Sequence, residues 1–138
     1  MELTFANLKP DCVQRKLTGK VIEYIEDHGF EILRIRKTRL SRKFAEEFYA
    51  AHKDKPFFER LIEMMTSGPC IPLVLRKENA IEDFRKIIGN TDPEKAAKGT
   101  LRQLYGTNVT YNIIHGSDSK ESVQREITFF FPYIEVIL

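Results

Sequence analysis

Apolar residues recur along this chain at two spacings, and the alternation of these spacings predicts both strands and helices. Short apolar runs bounded by Pro or Gly are typical of strands, whereas apolar positions three or four residues apart are typical of helices. Strands are predicted over residues 3–8, 30–39, 70–75 and 109–115. Helices are predicted over residues 17–28, 41–52, 58–65, 81–88, 100–105 and 119–131, which leaves 132–138 as a tail.

The order of these elements predicts an α+β fold with a ferredoxin-like split βαβ topology, in which helices pack on a four-stranded antiparallel sheet. No repeat, low-complexity tract or linker divides the sequence, so we expect residues 1–138 to form a single domain. A chain of 138 residues that is 42% hydrophobic can bury a substantial core. Such a fold does not by itself assign a function.

Charge and composition argue against several classes of partner. The chain has 22 basic and 20 acidic residues, so its net charge of +2 gives no general attraction to nucleic acid or to an anionic membrane. A secondary nucleic-acid role stays open because Arg34, Arg36 and Lys37 form a local basic group. No apolar run approaches the roughly 20 residues of a membrane helix, and no signal-peptide pattern begins the chain. We therefore expect a cytoplasmic protein without a membrane partner.

The two cysteines, Cys12 and Cys70, have neither the count of a disulfide framework nor the spacing of metal ligands. We expect both to be free thiols, with Cys70 buried at the start of a strand. A metal held by protein ligands alone is not expected.

Residues 112–119, Asn-Ile-Ile-His-Gly-Ser-Asp-Ser, contain the most chemically suggestive pattern in the sequence. They predict a strand that ends at His115, a sharp turn at Gly116, and a helix whose start is capped by Asp118 with Glu121. The free amides at that helix start would favour an anion near His115. The pattern fits a histidine that accepts a phosphoryl group, but it also fits a structural histidine that precedes a helix.

Other candidate residues are scattered along the chain. Lys9 lies before a proline, so its ammonium is expected at the end of the first strand. Tyr49 and Phe57 flank the junction of two helices, where simple core packing is the alternative to a binding role. Arg85 lies off the apolar stripe of its helix, and Arg102 lies on a short helix that follows a loop.

Seven short motifs stand in a fixed order along the chain. They are Lys9-Pro10-Asp11, Tyr49, Lys55-Pro56-Phe57-Phe58, Thr66-Ser67-Gly68-Pro69, Ile88-Gly89-Asn90-Thr91-Asp92-Pro93, Gly99-Thr100-Leu101-Arg102 and the octapeptide 112–119. Together they resemble the nucleoside diphosphate kinase family, over about residues 3–131. The histidine octapeptide is the most specific of them.

The resemblance implies a phosphotransferase that moves the terminal phosphate of a nucleoside triphosphate to a nucleoside diphosphate and so maintains NTP and dNTP pools. The implied mechanism is ping-pong through a phosphohistidine on His115. Glu126 matches the glutamate that orients this histidine, with Ser117 bridging between them. Covalent catalysis of this kind divides one transfer into two matched halves. A solvated helix residue remains the alternative for Glu126.

The resemblance also implies how the nucleotide, ATP or another tri- or diphosphate, would be bound. Arg85, Thr91 and Arg102 would contact the phosphates, and Lys9 and Tyr49 match residues near the transferred phosphate and the sugar. Asn112 would bind the sugar hydroxyl. Phe57 and Val109 would hold the base between them. Mg²⁺ would arrive with the nucleotide phosphates rather than in a protein cage. Asp118 is a possible water-mediated contact to it, although capping is the competing role.

The chain departs from the usual family pattern at Cys12 and at Lys98, and neither position supplies the chemistry. The family forms hexamers and tetramers built from dimers, so a homo-oligomer is implied. The alternative function is a nucleotide-responsive binding or regulatory protein on the same scaffold. The joint presence of His115 and Glu126 argues against it, because a binding protein needs no oriented nucleophile.

Overall fold

The computed structural model describes residues 1–132, which include four strands and seven α-helices. The strands are β1 (Glu2–Leu8), β2 (Glu31–Ile35), β3 (Ile71–Lys77) and β4 (Ile114–Gly116). The helices are α1 (Pro10–Gln14), α2 (Thr18–Asp27), α3 (Arg42–Phe48), α4 (Phe58–Thr66), α5 (Ala80–Ile88), α6 (Leu101–Tyr105) and α7 (Lys120–Phe130). Short 3₁₀ turns lie at Ala50–His52 and Pro93–Lys95. The predicted tail falls, apart from Pro132, outside the described residues.

The strands form one antiparallel sheet in the order β2-β3-β1-β4, which confirms the predicted α+β, ferredoxin-like arrangement. The central strand β1 pairs along its whole length with β3 and at its end with β4. Asn7 therefore lies opposite Pro72 on one side and His115 on the other. This register places the histidine beside the centre of the sheet.

Alternation along β1 divides the apolar residues between two cores. Ala6 and Leu8 pack on the face covered by α2 and α5, where Phe84 is fully buried. Phe5 packs on the opposite face, with α3, α4 and α7. A side chain of this size contributes about 1.5–3 kcal/mol when it is fully buried. The second core is the one that reaches His115, since the Phe5 ring lies 6.1 Å from the histidine ring.

Several predicted boundaries are wrong. The short helix α1 is absent from the prediction because its five residues are too few to show a helical period and because Pro10, at its first position, is equally typical of a strand stop. The predicted helix 41–52 has the expected Ser41 cap but ends at Phe48. Strand β2 covers only Glu31–Ile35, after which Thr38 forms a single bridge to Cys70.

The predicted fourth strand, 109–115, is largely wrong. Only Ile114–Gly116 pairs with β1, and Val109 and Tyr111 are 52% and 41% exposed rather than on a common sheet face with His115. The Asn108 side chain accepts hydrogen bonds from the backbone amides of Thr110 and Tyr111, which folds this segment into a turn.

The predicted reason for Gly116 is also wrong. Gly116 lies within β4, and the positive φ in this region belongs to Ile113, at 66°. A Cβ atom at position 116 would lie 2.9 Å from the Phe84 ring and 3.0 Å from Ile88. Glycine is therefore needed because α5 packs tightly against β4, not because the chain turns there.

The last helix begins later than predicted and has a different cap. Ser119 caps α7, its Oγ accepting a hydrogen bond from the Ser122 backbone amide at 3.1 Å. Asp118 instead accepts a hydrogen bond from the Ser122 hydroxyl at 2.6 Å. The helix begins at Lys120, one residue after the predicted start.

The cysteines agree with the prediction, as both Cys12 and Cys70 are buried free thiols. Cys70 pairs with Thr38 immediately before β3. Burial raises the pKa of Cys12 to about 12 and that of Cys70 to about 11. In the part of the chain that the structure describes, no helix has the length and apolarity needed to cross a membrane.

Candidate active site

The His115 side chain is held by the sheet and by two aromatic rings. Its position on β4 sets it beside Asn7, and its ring lies 6.1 Å from that of Phe5 and 5.9 Å from that of Phe48. The side chain remains 25% exposed. The imidazole is therefore supported from the core and open to solvent on one side.

Glu126 fixes one nitrogen of this ring. His115 Nε2 lies 2.7 Å from Glu126 Oε1, and the Ser117 hydroxyl donates to the same oxygen at 2.6 Å. Ser117 therefore does not bridge between the two residues, as the resemblance implied; both contact Glu126 directly. His115 Nδ1 forms no hydrogen bond with residues 1–132.

Glu126 is buried because of its place on α7. It lies among the inward residues Val123, Ile127 and Phe130, with only 7% exposure. A carboxylate at such a position needs partners, and the histidine and the serine supply them. The glutamate is therefore an inward-facing partner of His115, which answers the alternative that it is a solvated helix residue.

Tyr49 is a buried residue near enough to Glu126 to feel its charge. It is 7% exposed and belongs to the core under α3. Burial raises the pKa of its phenol, and the nearby charges of Cys70 and Glu126 act in the same direction. The hydroxyl is therefore neutral and can serve as a hydrogen-bond donor near Glu126.

Lys9 stands at the end of β1, where the sequence predicted it. Its ammonium donates to Asn112 Oδ1 at 2.7 Å and to the Thr110 carbonyl at 3.1 Å. Burial lowers its pKa to about 8, opposed by the charge of Asp11 and assisted by that of Arg102. The Lys9 ammonium is thus fixed by two hydrogen bonds in a site with little access to water.

Asn112 connects the two loops that surround Lys9. Its amide nitrogen donates to the Thr91 carbonyl at 2.9 Å and to the Val109 carbonyl at 3.1 Å. Asn112 is 2% exposed, whereas Thr91 and Val109 are both exposed. The structure therefore brings Asn112, Lys9 and the Thr91 backbone together, and leaves the Thr91 side chain at the surface.

Arg102 and Arg85 supply two further cations. Arg102 is 9% exposed and donates to the carbonyls of Gly89, at 2.9 Å, and Ile114, at 2.6 Å. Burial lowers its pKa to about 10, and the neighbouring charge of Arg85 acts in the same direction. Its Nε atom has no hydrogen-bond partner within residues 1–132. Two like charges held together are suited to a strongly anionic ligand.

Arg85 is exposed on α5 and lies between Arg102 and Asp118. The Ser122 hydroxyl lowers the pKa of Asp118, and Arg85 adds to this effect. Asp118 thus has a structural partner at the start of α7, but the predicted capping role belongs to Ser119.

Phe57 and Val109 are exposed side chains on two different segments of the chain. Phe57 is 38% exposed and its ring lies 5.5 Å from that of His52, while Val109 is 52% exposed on another loop. The core-packing alternative therefore holds for Tyr49 but not for Phe57. An exposed aromatic ring and an exposed aliphatic side chain can contact a flat apolar ligand.

Sequence reasoning missed three contributors to this site. The Thr110 carbonyl and the rings of Phe5 and Phe48 carry no local signal, because distant residues place them beside Lys9 and His115. Asp11 was recognised only as part of a motif. Its Oδ2 accepts the Ile113 backbone amide at 3.1 Å.

The described residues contain no group of three or more His, Cys, Asp or Glu side chains that could hold a metal ion. Cations contact the segment that leads to His115, since Lys9 binds Asn112 and Arg102 binds the Ile114 carbonyl, with Arg85 near Arg102. The fold and the site together define a class of protein: a ferredoxin-like α+β protein with an oriented, open histidine beside cations suited to phosphate groups.

Comparisons with known proteins identify the family within this class. The family described as nucleoside diphosphate kinase matches residues 2–136. Nucleoside diphosphate kinase of Chlorobium limicola is 51% identical over 137 residues, with 99% of this chain and 98% of that protein covered. The chain belongs to the nucleoside diphosphate kinase family.

Solved structures give the same result. A crystal form of the Aquifex aeolicus nucleoside diphosphate kinase has a TM-score of 0.93 and 40% sequence identity, and the match covers 99% of both chains. The halophilic nucleoside diphosphate kinase of Halobacterium salinarum, solved in complex with CDP, has a TM-score of 0.91 and 40% identity over 94% of this chain and 87% of that one.

Proposed function

We propose that this protein transfers the terminal phosphate of a nucleoside triphosphate to a nucleoside diphosphate by a ping-pong mechanism through a phosphohistidine on His115. The observation that carries the proposal is the geometry of the histidine. Glu126 holds Nε2 at 2.7 Å, and Nδ1 is left without a partner among the described residues. An oriented ring with one available nitrogen is the arrangement that nucleophilic catalysis requires.

In the first half-reaction, the Nδ1 lone pair attacks the terminal phosphorus. The bond from phosphorus to the bridging oxygen breaks, and the nucleoside diphosphate leaves with that electron pair. The imidazole gains positive charge as the N–P bond forms, and the Glu126 carboxylate at Nε2 stabilises it. In the second half-reaction, an oxygen of a different nucleoside diphosphate attacks the phosphohistidine by the same route in reverse.

The cations near His115 support this reaction because phosphoryl transfer depends on positioning and charge stabilisation. We assign phosphate contacts to Lys9, Arg85 and Arg102, with the exposed Thr91 hydroxyl as a further donor. Arginine pairs suit two-point contact with phosphate oxygens. Magnesium enters as part of the substrate, bound to the nucleotide phosphates and keeping several waters.

The sugar and base contacts follow the same assignment. We assign Asn112, which accepts a hydrogen bond from Lys9, to a sugar hydroxyl, and Tyr49 to the region of the transferred phosphate and the sugar. Phe57 and Val109 would contact the two faces of the base. Stacking accepts any base because every base has a π-face, so one site would serve purine and pyrimidine nucleotides alike. The bound CDP in the halobacterial relative supports a nucleotide ligand here.

The remaining expectations accompany this proposal. Residues 1–138 would form one catalytic domain that assembles into a hexamer or a tetramer, each built from dimers. The protein would act in the cytoplasm, where it would maintain NTP and dNTP pools. A nucleotide-responsive regulatory protein on the same scaffold is the second candidate, and it would bind nucleotide without taking phosphate onto His115.

The test is phosphate labelling of the purified protein. Incubation with γ-labelled ATP and magnesium, without an acceptor, should place acid-labile and base-stable label on the chain, and addition of a nucleoside diphosphate should remove it. His115→Ala should bind nucleotide but take no label. His28→Ala is the matched control, because His28 ends α2 away from the site, and it should label like the wild type. Nucleotide binding without label in the wild type would favour the regulatory alternative.

A further inference from the structure

Ile113 has an unusual backbone conformation two residues before His115. Its φ is 66°, and it is a fully buried, β-branched residue. The Ile114 amide donates to the Asn112 carbonyl at 2.9 Å, across Ile113. A three-residue hydrogen bond around a residue with positive φ is a γ-turn of the strained kind, which persists only where surrounding contacts hold it.

The contacts that hold this γ-turn come from the segment after β1. The Ile113 amide donates to Asp11 Oδ2 at 3.1 Å, and the Ile113 carbonyl accepts from the Lys9 backbone amide at 2.9 Å. Both polar backbone groups of Ile113 are thus tied to residues 9–11. Only the bond to Asp11 depends on a side chain.

Asp11 is itself fixed in place. It is 6% exposed, in the first turn of α1, and burial raises the pKa of its carboxyl while the Lys9 charge and the Ile113 amide oppose that effect. Its other oxygen, Oδ1, has no partner within residues 1–132. Burying an acidic side chain with so few partners costs free energy, and the hydrogen bond from Ile113 offsets an important part of that cost.

The γ-turn sets the orientation of Asn112, which precedes it, relative to His115, which follows it. On one side, Asn112 binds Lys9 Nζ and the Thr91 carbonyl. On the other side, the chain enters β4 and delivers His115 opposite Asn7. A change in φ at Ile113 would rotate the residues assigned to the sugar relative to the residue assigned to the phosphate.

We propose that Asp11 is a positioning residue for phosphate transfer: its carboxylate holds the γ-turn at Ile113, and so sets Asn112 and His115 at their working separation. This inference rests on the proposed function, and Asp11 itself touches no reacting atom. The competing role is purely local, since an acidic residue in a first helical turn stabilises the helix without further effect.

The two roles predict different labelling rates for Asp11→Ala when residue 113 is changed to glycine. Glycine adopts positive φ without strain, so a γ-turn built on glycine needs its side-chain tie less. Asp11→Ala should therefore slow His115 labelling in a single turnover by about tenfold or more, as small misplacements do. The double variant Asp11→Ala/Ile113→Gly should be slowed relative to Ile113→Gly by a clearly smaller factor than Asp11→Ala is slowed relative to the wild type. Asp11→Asn keeps an oxygen acceptor and should recover most of the rate.

Val13→Ala is the matched control, because it weakens the packing of α1 without touching the γ-turn, and it should label at the wild-type rate. The proposal would be overturned if Asp11→Ala slowed labelling equally in the wild-type and Ile113→Gly backgrounds, or if it did not slow labelling at all. If Ile113→Gly fails to fold, hydrogen exchange of the Ile113 amide in the Asp11 variants provides the test. We expect faster exchange in Asp11→Ala than in Asp11→Asn, and equal exchange rates would overturn the proposal. Wild-type protein that takes no label would contradict the proposed function instead.

Discussion

Raising the pH from 7 to 9 should stabilise this protein while it slows phosphate transfer, because both effects depend on the charge of Lys9. Burial lowers the pKa of Lys9 from 10.5 to about 8 in the folded chain. Between these two values the unfolded chain binds the proton more tightly than the folded chain. Stability therefore rises with pH through this window, and the cost of burying the charge is greatest below pH 8.

The size of the effect follows from the two pKa values. Linkage gives a gain of about 1 kcal/mol in the free energy of unfolding between pH 7 and pH 9, and roughly 3 kcal/mol over the whole window. The fraction of folded molecules with a charged Lys9 falls about tenfold from pH 7 to pH 9. Because kcat/KM reports the ionisation of the free enzyme, it should fall by about the same factor.

The assay is denaturant unfolding at pH 7, 8 and 9, with kcat/KM measured over the same range. Lys9→Met should lack this component of the pH dependence of stability. Lys20→Met removes an exposed lysine of α2 and controls for the loss of one positive charge. An identical pH dependence of stability in wild type and Lys9→Met, or a kcat/KM that stays constant to pH 9, would refute the reasoning.

Three further predictions concern single residues. Phe57→Ala should weaken nucleotide binding by about 1–3 kcal/mol with little change in stability; calorimetry that finds unchanged affinity would contradict the stacking role. Gly116→Ala should destabilise the fold by about 1–3 kcal/mol in denaturant unfolding, because its Cβ meets Phe84; unchanged stability would contradict the close packing described. Glu126→Gln should slow His115 labelling by about 10-fold to 100-fold, and a wild-type labelling rate would show that the charge at Nε2 is not needed.

The sequence was most informative where a signal is local. The apolar periods predicted the central strands and most helices, and the motif order with its resemblance predicted the family. The direct contact between His115 and Glu126 also agrees with that resemblance, since the two residues meet at 2.7 Å. The roles proposed for the nucleotide contacts stay predictions.

The errors fall where side-chain hydrogen bonds or tertiary packing override the apolar pattern. Residues 109–115 alternate like a strand, but the Asn108 side chain folds the segment and Ile113 reverses it. Gly116 looked like a turn residue, yet its need for glycine comes from Phe84 on another element. The side-chain hydrogen bonds of Asn108 leave no mark on the apolar period, and Phe84 lies outside the window in which that period is assessed.

The fold class, the histidine and the motif residues could be predicted without a structure, because hydrophobic period and motif order are properties of the chain alone. The nitrogen of His115 that faces Glu126, the strained turn at Ile113 and the lowered pKa of Lys9 are visible only in the folded molecule. The Ile113 bond to Asp11 spans 102 positions, and the Lys9 bond to Asn112 spans 103. Burial and hydrogen bonding across such separations exist only once the sheet has formed.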